Sequence, residues 1–558
     1  MKEKTDFITV YCKNNDSRID VRVGSSLSEI YTLTGSPLKY RALCARVNNR
    51  VVSLDYRCWR PKDIDFVDFT DNSGHRAYLR SLCFVLLKAL NELFPSRRFN
   101  LEHPLSKGYY GEFTDQKAIP DETIGKIKKR MEEIIAADRP FVLREVRTPE
   151  AVNLFRSRGM DDKSLLLETT GRPYSQYYEL DGYYDYFYGC LTPSAGYIHL
   201  FDLMPYSNGL LLRVPQQANP AELCPVVPQE KMFDAYKHFL KLQNTIGLDN
   251  VGDLNLAIRN GQTSNIVMVF EAMQEKYIAS IAEKIAERYR EGTRVAVISG
   301  PSSSGKTTFC KRLEIQLITN LIHPLGISLD DYYLNREDTP KDADGNYDFE
   351  SLYAIDLPYF KRDLRRLIDG EEIELPYFNF SAGKREYRGN KLKMKDNSIL
   401  LLEGIHCLNP ELTDSIPPEN IYKIYVSALT TISLDSHNWI PTTDNRLLRR
   451  IVRDYQFRGY SAKQTISMWQ NVRRGEDKWI FPYQENADVM FNSAMIYEFA
   501  ALRRLAEPIL NEVLESDDEY SEAYRLLRFL KYFNHISGDE LPGTSLLREF
   551  VGGGKFKY

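Results

Sequence analysis

The chain has 558 residues, a formal net charge of −4 and 27% charged side chains. Such a balanced charge gives no overall positive field of the kind that favours nucleic-acid binding. Hydrophobic content of 43% is ordinary for a folded protein, and the length exceeds what one core supports, so several domains are expected. The eight cysteines follow no regular spacing, which indicates reduced thiols. The chain has no apolar signal segment or membrane-length apolar run, so we expect a cytoplasmic protein.

Residues 1–70 predict a small β-rich domain. Val21 and Val23 alternate around a charged residue, and Ser26 is placed to cap a short apolar helix. The segment 47–52 has the Asn48-Asn49 pair expected of a hairpin turn. This pattern resembles a TGS domain, the ubiquitin-like module of threonyl-tRNA synthetases and some GTPases. Another small α+β domain would fit the same pattern.

Residues 71–225 resemble the second additional, or editing, domain of threonyl- and alanyl-tRNA synthetases, on the segments 105–113, 182–189 and 209–215. That family carries a zinc-type constellation, H-x-x-x-H with C-x-x-x-H. Here His75 matches the first histidine, but Leu79 stands four positions later, and Cys190 is followed at that offset by Ser194. Because a metal site needs several converging ligands, we expect the scaffold without the editing chemistry. His75 is then a structural residue or a contact to a small ligand.

Two helical segments complete the predicted division. Residues 226–292 predict a helical connector, with a long helix from about 264 to 289. Residues 496–558 predict a C-terminal helical extension. Ala523, Leu526, Leu527 and Leu530 share one helical face there, so the extension packs on the preceding domain or on a second subunit of a homo-oligomer.

The segment 294–308 carries the clearest chemical signal. A short apolar run at 295–298 is typical of a buried parallel strand, and helical spacing of apolar residues begins at Phe309. Between them stands the spacing G-x-x-x-x-G-K-T of a phosphate-binding loop. Its glycines let successive N–H groups face an anion, and the helix N-terminus adds its positive dipole end. The predicted ATP-binding residues of this loop are Gly300, Pro301, Ser302, Ser303, Ser304, Gly305, Lys306, Thr307 and Thr308.

Residues 293–495 alternate strand and helix patterns, which predicts a parallel α/β sheet. Two carboxylates follow candidate strands of this sheet, Asp330 after 325–329 and Glu403 after 398–402. At that edge Asp330 could take the proton of an acceptor hydroxyl, and Glu403 could hold Mg²⁺ together with Thr307. The alternatives are an Asp-rich turn and a solvent-facing strand end.

Four arginines lie within eight residues of one predicted helix, and like charges so spaced repel one another unless anions neutralise them. We expect a lid whose guanidinium groups bind triphosphate oxygens, made by Arg446, Arg449, Arg450 and Arg453. The alternative is partial pairing with Asp444 and Asp454.

These four motifs together resemble the uridine kinase/phosphoribulokinase family over roughly 290–495. The resemblance implies that Asp330 is the catalytic base and that the acceptor is bound by Tyr332, Glu350, Phe378 and Arg385. Lys306 of the loop is the second predicted catalytic residue, since it would reach the β- and γ-phosphates. Uridine kinases carry a tyrosine and a histidine facing the pyrimidine where this chain has Phe378 and Gly383. Losing both polar groups argues against uridine itself, because hydrogen-bonding sites discriminate best. Few basic residues lie near 347–360, which disfavours a sugar phosphate as the acceptor.

The sequence therefore predicts a multidomain α/β and α+β protein with a C-terminal P-loop NTPase sheet. The predicted activity is transfer of the γ-phosphoryl group of ATP, with Mg²⁺, to a hydroxyl of a small nucleoside-like acceptor of the uridine or cytidine type. GTP stays open as donor, since no local signature for the donor base occurs. The rival hypothesis is an RNA-associated regulator in which the synthetase-like front half binds tRNA and the P-loop acts as a switch.

Overall fold

The computed structural model describes residues 6–35, 37–342, 345–380 and 382–557. The first unit is a five-stranded sheet in the order β2-β1-β7-β4-β5 with one helix packed on it. A capping box at Ser26 starts that helix, and Asn48 and Asn49 take left-handed conformations in the hairpin turn. Its elements are β1 Phe7–Cys12, β2 Ser17–Arg22, β3 Ser25–Ser26, α1 Leu27–Thr34, β4 Cys44–Val47, β5 Arg50–Val52, β6 Arg57–Cys58 and β7 Asp63–Val67.

The second unit has two antiparallel sheets around a long helix that is buried along most of its length. The sheets have the orders β13-β14-β9-β8 and β10-β11-β12. Its elements are α2 Asn72–Leu93, β8 Phe99–Leu105, β9 Gly108–Phe113, α3 Asp121–Ala136, β10 Val142–Arg147, α4 Thr148–Ser157, α5 Asp161–Thr170, β11 Tyr174–Leu180, β12 Tyr183–Asp185, β13 Asp202–Tyr206 and β14 Gly209–Arg213.

Three helices lead from the front half to the phosphate loop. They are α6 Glu230–Thr245, α7 Val251–Arg259 and α8 Thr263–Arg290. The buried face of α8, with Ile278, Ile281 and Ile285, packs against the strand that precedes the loop. Within the described residues, no helix combines the length and the apolar character needed to cross a lipid bilayer.

The third unit confirms the predicted parallel sheet, with five strands in the order β16-β19-β15-β20-β21. Its central strand is buried at every residue because helices cover both faces. The elements are β15 Val295–Ser299, α9 Lys306–Thr319, β16 His323–Ser328, α10 Leu357–Ile368, β17 Ile373–Asn379, β18 Lys384–Leu392, β19 Ser398–Glu403, β20 Ile421–Ser427, α11 Thr442–Arg458, α12 Ala462–Trp479 and β21 Val489–Asn492.

The chain ends in three further helices, α13 Glu498–Asn511, α14 Tyr520–Leu530 and α15 Arg548–Val551. The predicted apolar face of α14 is buried at Ala523, Leu526 and Leu530, in a core shared with α11 and α13. The extension therefore packs on the preceding unit of the same chain, which is the first of the two arrangements expected from the sequence.

A buried ion network joins two parts of the chain. The first, called the front half below, is residues 6–225, and the second, called the kinase-like half for its resemblance, is the described part of residues 293–557. Lys163 Nζ lies 2.7 Å from Asp435 Oδ1 and 3.0 Å from Asp185 Oδ1, and all three side chains are fully buried. His437 Nδ1 lies 2.6 Å from the other oxygen of Asp185. Burial alone would raise the pKa of Asp185, but His437 and Lys163 hold it below its usual range. The two halves therefore share a polar core as well as an apolar one.

Candidate active site

The phosphate loop connects the buried end of β15 to the first residue of α9. Gly300 must lack a side chain, because a Cβ there would lie 2.0 Å from the carbonyl oxygen of Val426. Gly305 has a φ of +84°, in the left-handed region that favours glycine, and it caps α9. Ser303 takes the same unusual region with a φ of 59°. Close approach and positive φ together fix the curled backbone that a phosphate requires.

Several polar groups of this loop fit an anion. The hydroxyls of Ser303 and Ser304 are buried and have no hydrogen-bond partner among the described residues. Lys306 Nζ turns back and donates to the carbonyl oxygen of Pro301 at 3.2 Å. The N–H groups of a first helical turn have no partners within the helix. The loop therefore presents donors and a cation to one space, as a triphosphate would need.

Two carboxylates border the loop at the predicted sheet edge. Glu403 ends β19, and both its oxygens lie 3.4 Å from Thr307 Oγ1. Asp330 lies in the single-turn helix Leu329–Tyr332 that follows β16. Burial raises the pKa of Asp330, and burial raises that of Glu403 to about 7. Lys306 opposes both shifts, so both carboxylates lie near its ammonium group.

The pair of Thr307 hydroxyl and Glu403 carboxylate suits Mg²⁺, which takes oxygen ligands and usually only one or two carboxylates beside phosphates. Within the described ranges, no group of three His, Cys, Asp or Glu side chains could hold a metal ion by itself. The residues therefore fit a cation that arrives with a nucleotide. A dedicated all-protein metal site would need more ligands.

The predicted acceptor residues divide into two sets. Burial raises the pKa of Glu350 to about 7, and one of its oxygens has no partner among the described residues. Glu350 packs against Gly475 of α12. A Cβ added to Gly475 would lie only 2.3 Å from the Cβ of Glu350. Phe378 is buried and stacks edge-on against Phe380. Glu350 thus offers a carboxylate oxygen that has no partner among the described residues, and Phe378 offers an apolar ring.

Tyr332 and Arg385 make contacts around the turn that follows Asp330. Arg385 pairs with Asp356 at 3.1 Å and donates to the carbonyl oxygens of Tyr332 and Tyr333 at 3.1 and 3.0 Å. The Tyr332 hydroxyl donates to Asp363 of α10 at 3.4 Å. These contacts hold the turn after Asp330 in position.

The four predicted lid arginines have two different environments. Arg446 and Arg449 are fully buried, form ion pairs with Glu476 and Glu498, and donate to the carbonyl oxygens of Ser302 and Ser303 at 3.2 and 3.3 Å. They therefore hold the loop by its carbonyl side. The sequence carried no signal for these partners, which lie 30 and 49 residues away in the chain.

Arg450 and Arg453 form ion pairs with Asp454, at 3.2 and 2.7 Å, which was the alternative expectation. Arg450 also donates to the Ser302 hydroxyl at 2.9 Å. Asp444 instead pairs with Arg525. Arg458 was missed: its charge and that of Arg453 both lower the pKa of Asp330 against the effect of burial. The i, i+4 spacing of 450, 454 and 458 was the signal available for it.

Two carboxylates accept hydrogen bonds from backbone N–H groups, one in the phosphate loop and one in the first turn of α9. Ser302 N donates to Glu476 at 3.2 Å, and Thr308 N and Oγ1 donate to Glu549 of α15 at 3.2 and 2.7 Å. Leu546, just before α15, is buried and would touch a Cβ on Gly305 at 3.7 Å. An anion thus already lies at the N-terminus of α9, where anions are stabilised.

The sheet order, the loop and the bordering carboxylates define a P-loop nucleotide-binding protein. The model of the phosphoribulokinase/uridine kinase family matches residues 295–498. Uridine-cytidine kinase B of Dictyostelium discoideum is 30% identical over 200 residues, which is 35% of this chain and 72% of that protein. The chain belongs to the phosphoribulokinase/uridine kinase family, as its motifs predicted.

The first part of the chain is similar to threonine–tRNA ligases. Threonine–tRNA ligase of Symbiobacterium thermophilum is 28% identical over 182 residues, 32% of this chain. The enzyme of Acidovorax sp. is 29% identical over 181 residues. The chain spans only 28% of the length of these ligases. A solved structure described as a possible uridine kinase from Bacillus stearothermophilus matches 38% of this chain and 97% of its own chain, at 18% identity and a TM-score of 0.26.

Proposed function

We propose that the protein is an ATP- and Mg²⁺-dependent kinase that phosphorylates a hydroxyl of a small nucleoside-like molecule. The observation that carries the proposal is the place of Asp330, a partly buried carboxylate directly after β16, at the sheet edge next to the phosphate loop. Burial raises the pKa of Asp330, which makes it a stronger base toward an acceptor hydroxyl. Family membership supports a small molecule as the acceptor.

Each residue of the proposed site has a separate task. Lys306 and the loop N–H groups would hold the phosphates, and Thr307 with Glu403 would hold Mg²⁺, which neutralises developing phosphoryl charge. Asp330 would accept the proton of the attacking hydroxyl. A closing lid would exclude water, and Arg450 and Arg453 would form it by exchanging their ion pairs with Asp454 for phosphate oxygens. Arg446 and Arg449 would act indirectly, by holding the loop carbonyls.

The proposed acceptor site combines Glu350, as a partner for sugar hydroxyls, with the apolar wall at Phe378. Tyr332 and Arg385 would position this wall through their contacts to the neighbouring turn. With phenylalanine at 378 and glycine at 383, the site offers a pyrimidine no side-chain hydrogen bond from these positions. The acceptor we propose is therefore a nucleoside-like molecule other than uridine.

The test is ADP release from the full chain with Mg²⁺–ATP, and separately Mg²⁺–GTP, against a panel of ribonucleosides, deoxynucleosides and sugar phosphates. With the stimulating acceptor, Asp330→Asn should lower kcat by about 10² to 10⁴, the usual contribution of a general base. Asp414→Asn is the matched control, because that carboxylate is exposed and pairs with Lys361 on the surface. If no acceptor stimulates turnover while ATP binds, the kinase proposal is wrong.

A second candidate function rests on the similarity of the first part to threonine–tRNA ligases. In it the front half binds tRNA and the loop is a nucleotide-controlled switch. RNA binding that weakens steeply with salt and survives Lys306→Met, in a protein with no acceptor-stimulated turnover, would support this candidate.

The division into TGS-like 1–70, editing-like 71–225, connector 226–292, kinase-like 293–495 and extension 496–558 remains part of the proposal. Its outermost residues, 1–5 and 558, lie outside the described residues. A cytoplasmic location and a homo-oligomeric assembly also stay proposals. Limited proteolysis with mass spectrometry would test the boundaries, and light scattering of the purified chain would test the assembly.

A further inference from the structure

A cavity of about 730 Å³ lies between the front half and the kinase-like half. One wall comes from α2 and the turn between β8 and β9, and the other from β20, α11, α12 and Pro301 of the phosphate loop. Its size is that of sites that enclose small organic ligands. The described residues that line it do not include Lys306, Thr307, Asp330 or Glu350, so it is separate from the proposed catalytic groups.

Three lining residues have a buried polar atom without a hydrogen-bond partner in the described part of the chain. They are His75 Nε2, Tyr425 OH and Arg446 Nε. Buried polar atoms in folded proteins are almost always paired, so three around one cavity indicate partners supplied from inside it. Burial lowers the pKa of His75 to about 4, and its ring is therefore neutral near pH 7.

The charge of the lining favours an anion. Most lining arginines have a carboxylate partner: Arg76 pairs with Glu522, Arg446 and Arg473 with Glu476, and Arg525 with Asp444. Arg80 and Lys107 differ, since neither has an ion pair within the described ranges. Arg80 is fixed by its Nε, which donates to the carbonyl oxygen of Cys190 at 3.1 Å.

The backbone also holds Lys107 at the cavity. Ser106 and Lys107 form the turn between β8 and β9 with φ values of 52° and 60°, a conformation that lysine seldom adopts. The turn is kept there because Ser106 N donates to Gln229 at 2.8 Å and the Ser106 hydroxyl bonds to Val227. Strained turns that the surroundings hold in place are common at ligand sites.

Aromatic side chains supply the remaining recognition surface. Tyr109 and Trp439 both line the cavity, with ring centroids 4.3 Å apart and planes at 43°. One residue belongs to the front half and the other to the segment before α11, so the aromatic wall crosses the boundary between the halves. A planar ring in the ligand would pack on this wall, beside its anionic group.

We propose that this cavity is a binding site for a small organic anion that carries a planar ring, the class that includes nucleoside monophosphates and aromatic carboxylates. Arg80 and Lys107 bind the anionic group, the wall of Tyr109 and Trp439 packs on the ring, and His75 and Tyr425 hydrogen-bond its polar edge. Both halves contribute, so the site exists only in the full chain.

The test is isothermal titration of the full chain, without ATP, with adenosine and uridine 5′-monophosphates, the two neutral nucleosides, inorganic phosphate and 4-hydroxybenzoate. A ring that carries an anionic group should bind at least about tenfold more tightly than the nucleoside or phosphate alone. Tight binding of the monophosphates identifies a nucleotide as the source, and tight binding of the benzoate an aromatic acid.

Arg80→Met and Lys107→Met should each weaken that binding about tenfold, while the exposed Lys117→Met should not change it. Lys107→Met is decisive if Arg80→Met loses its Cys190 contact and unfolds. Absence of binding by every probe would overturn the proposal. Binding that is unchanged in both Arg80→Met and Lys107→Met would overturn it as well. Binding lost instead in Arg385→Met would assign the ligand to the proposed acceptor site and would also overturn it.

Discussion

Glu549→Gln should tighten nucleotide binding, although Glu549 lies near the end of the chain. Its carboxylate accepts hydrogen bonds from the N–H and hydroxyl of Thr308, at 3.2 and 2.7 Å, in the first turn of α9. A nucleotide that places a phosphate oxygen at this helix N-terminus competes with the carboxylate for the same donors. Glutamine keeps the shape and one acceptor oxygen but removes the charge.

The size of the effect is worked for one of the two hydrogen bonds, the one from the Thr308 N–H, for which a phosphate oxygen competes. A hydrogen bond to a charged group contributes about 1.5 to 3 kcal/mol, against about 0.5 to 1.5 kcal/mol for a neutral pair. Replacing the charged acceptor therefore lowers the cost of displacing it by about 1 to 1.5 kcal/mol. Since 1.4 kcal/mol is a factor of ten in an equilibrium constant, the Kd for ADP or ATP should fall about five- to tenfold.

The assay is equilibrium titration with ADP and Mg²⁺ by calorimetry, for wild type and variant at the same ionic strength. Glu540→Gln is the matched control, because Glu540 lies in the same C-terminal segment and accepts from the Ser264 hydroxyl of α8. Equal or weaker binding by Glu549→Gln, with the control unchanged, would show that the carboxylate does not compete with phosphate.

Two further predictions concern stability. Lys163→Met should lower the free energy of unfolding by about 3 to 5 kcal/mol, because Asp185 and Asp435 would stay buried without their cation; chemical denaturation checks this, with the exposed Lys126→Met as control. Glu403 has a folded pKa of about 7 against about 4.3 in an unfolded chain, so it keeps its proton in the fold and stability falls as pH rises toward 7. Glu403→Gln lacks this loss of about 2 to 3 kcal/mol between pH 5 and pH 8. The thermal stability of Glu403→Gln relative to wild type should therefore be higher at pH 8 than at pH 5. An equal difference between the two proteins at both pH values would contradict the raised pKa of Glu403.

The elements built from local pattern were the ones that sequence could predict. The buried run before the loop became β15, and the carboxylates at the ends of two further candidate strands lie at one sheet edge because parallel strands share their carboxyl edge. The same holds for the capping box at Ser26 and the turn at Asn48, which depend on residues a few positions apart.

Contacts made over long stretches of chain gave no such signal. Glu549 reaches Thr308 across 241 positions, and Glu476 reaches Ser302 across 174. The arginines of α11 look alike in the sequence, yet burial separates Arg449, fully enclosed with Glu498, from Arg450 at the loop surface. Only packing distinguishes them, since the helical period places charges on a face without saying what covers that face.

The carboxylates on the loop have a consequence for how donor and acceptor sites depend on one another. Glu476 accepts from Ser302 N and also neutralises Arg446, and its neighbour Gly475 packs directly on Glu350. A phosphate that takes the Ser302 N–H displaces the Glu476 carboxylate from that donor. The packing at Gly475 leaves no space for even a Cβ, so the same turn of α12 is in direct contact with Glu350. One turn of α12 therefore contacts both the phosphate loop, through Glu476, and Glu350, through Gly475, and Arg446 holds Glu476 in that turn.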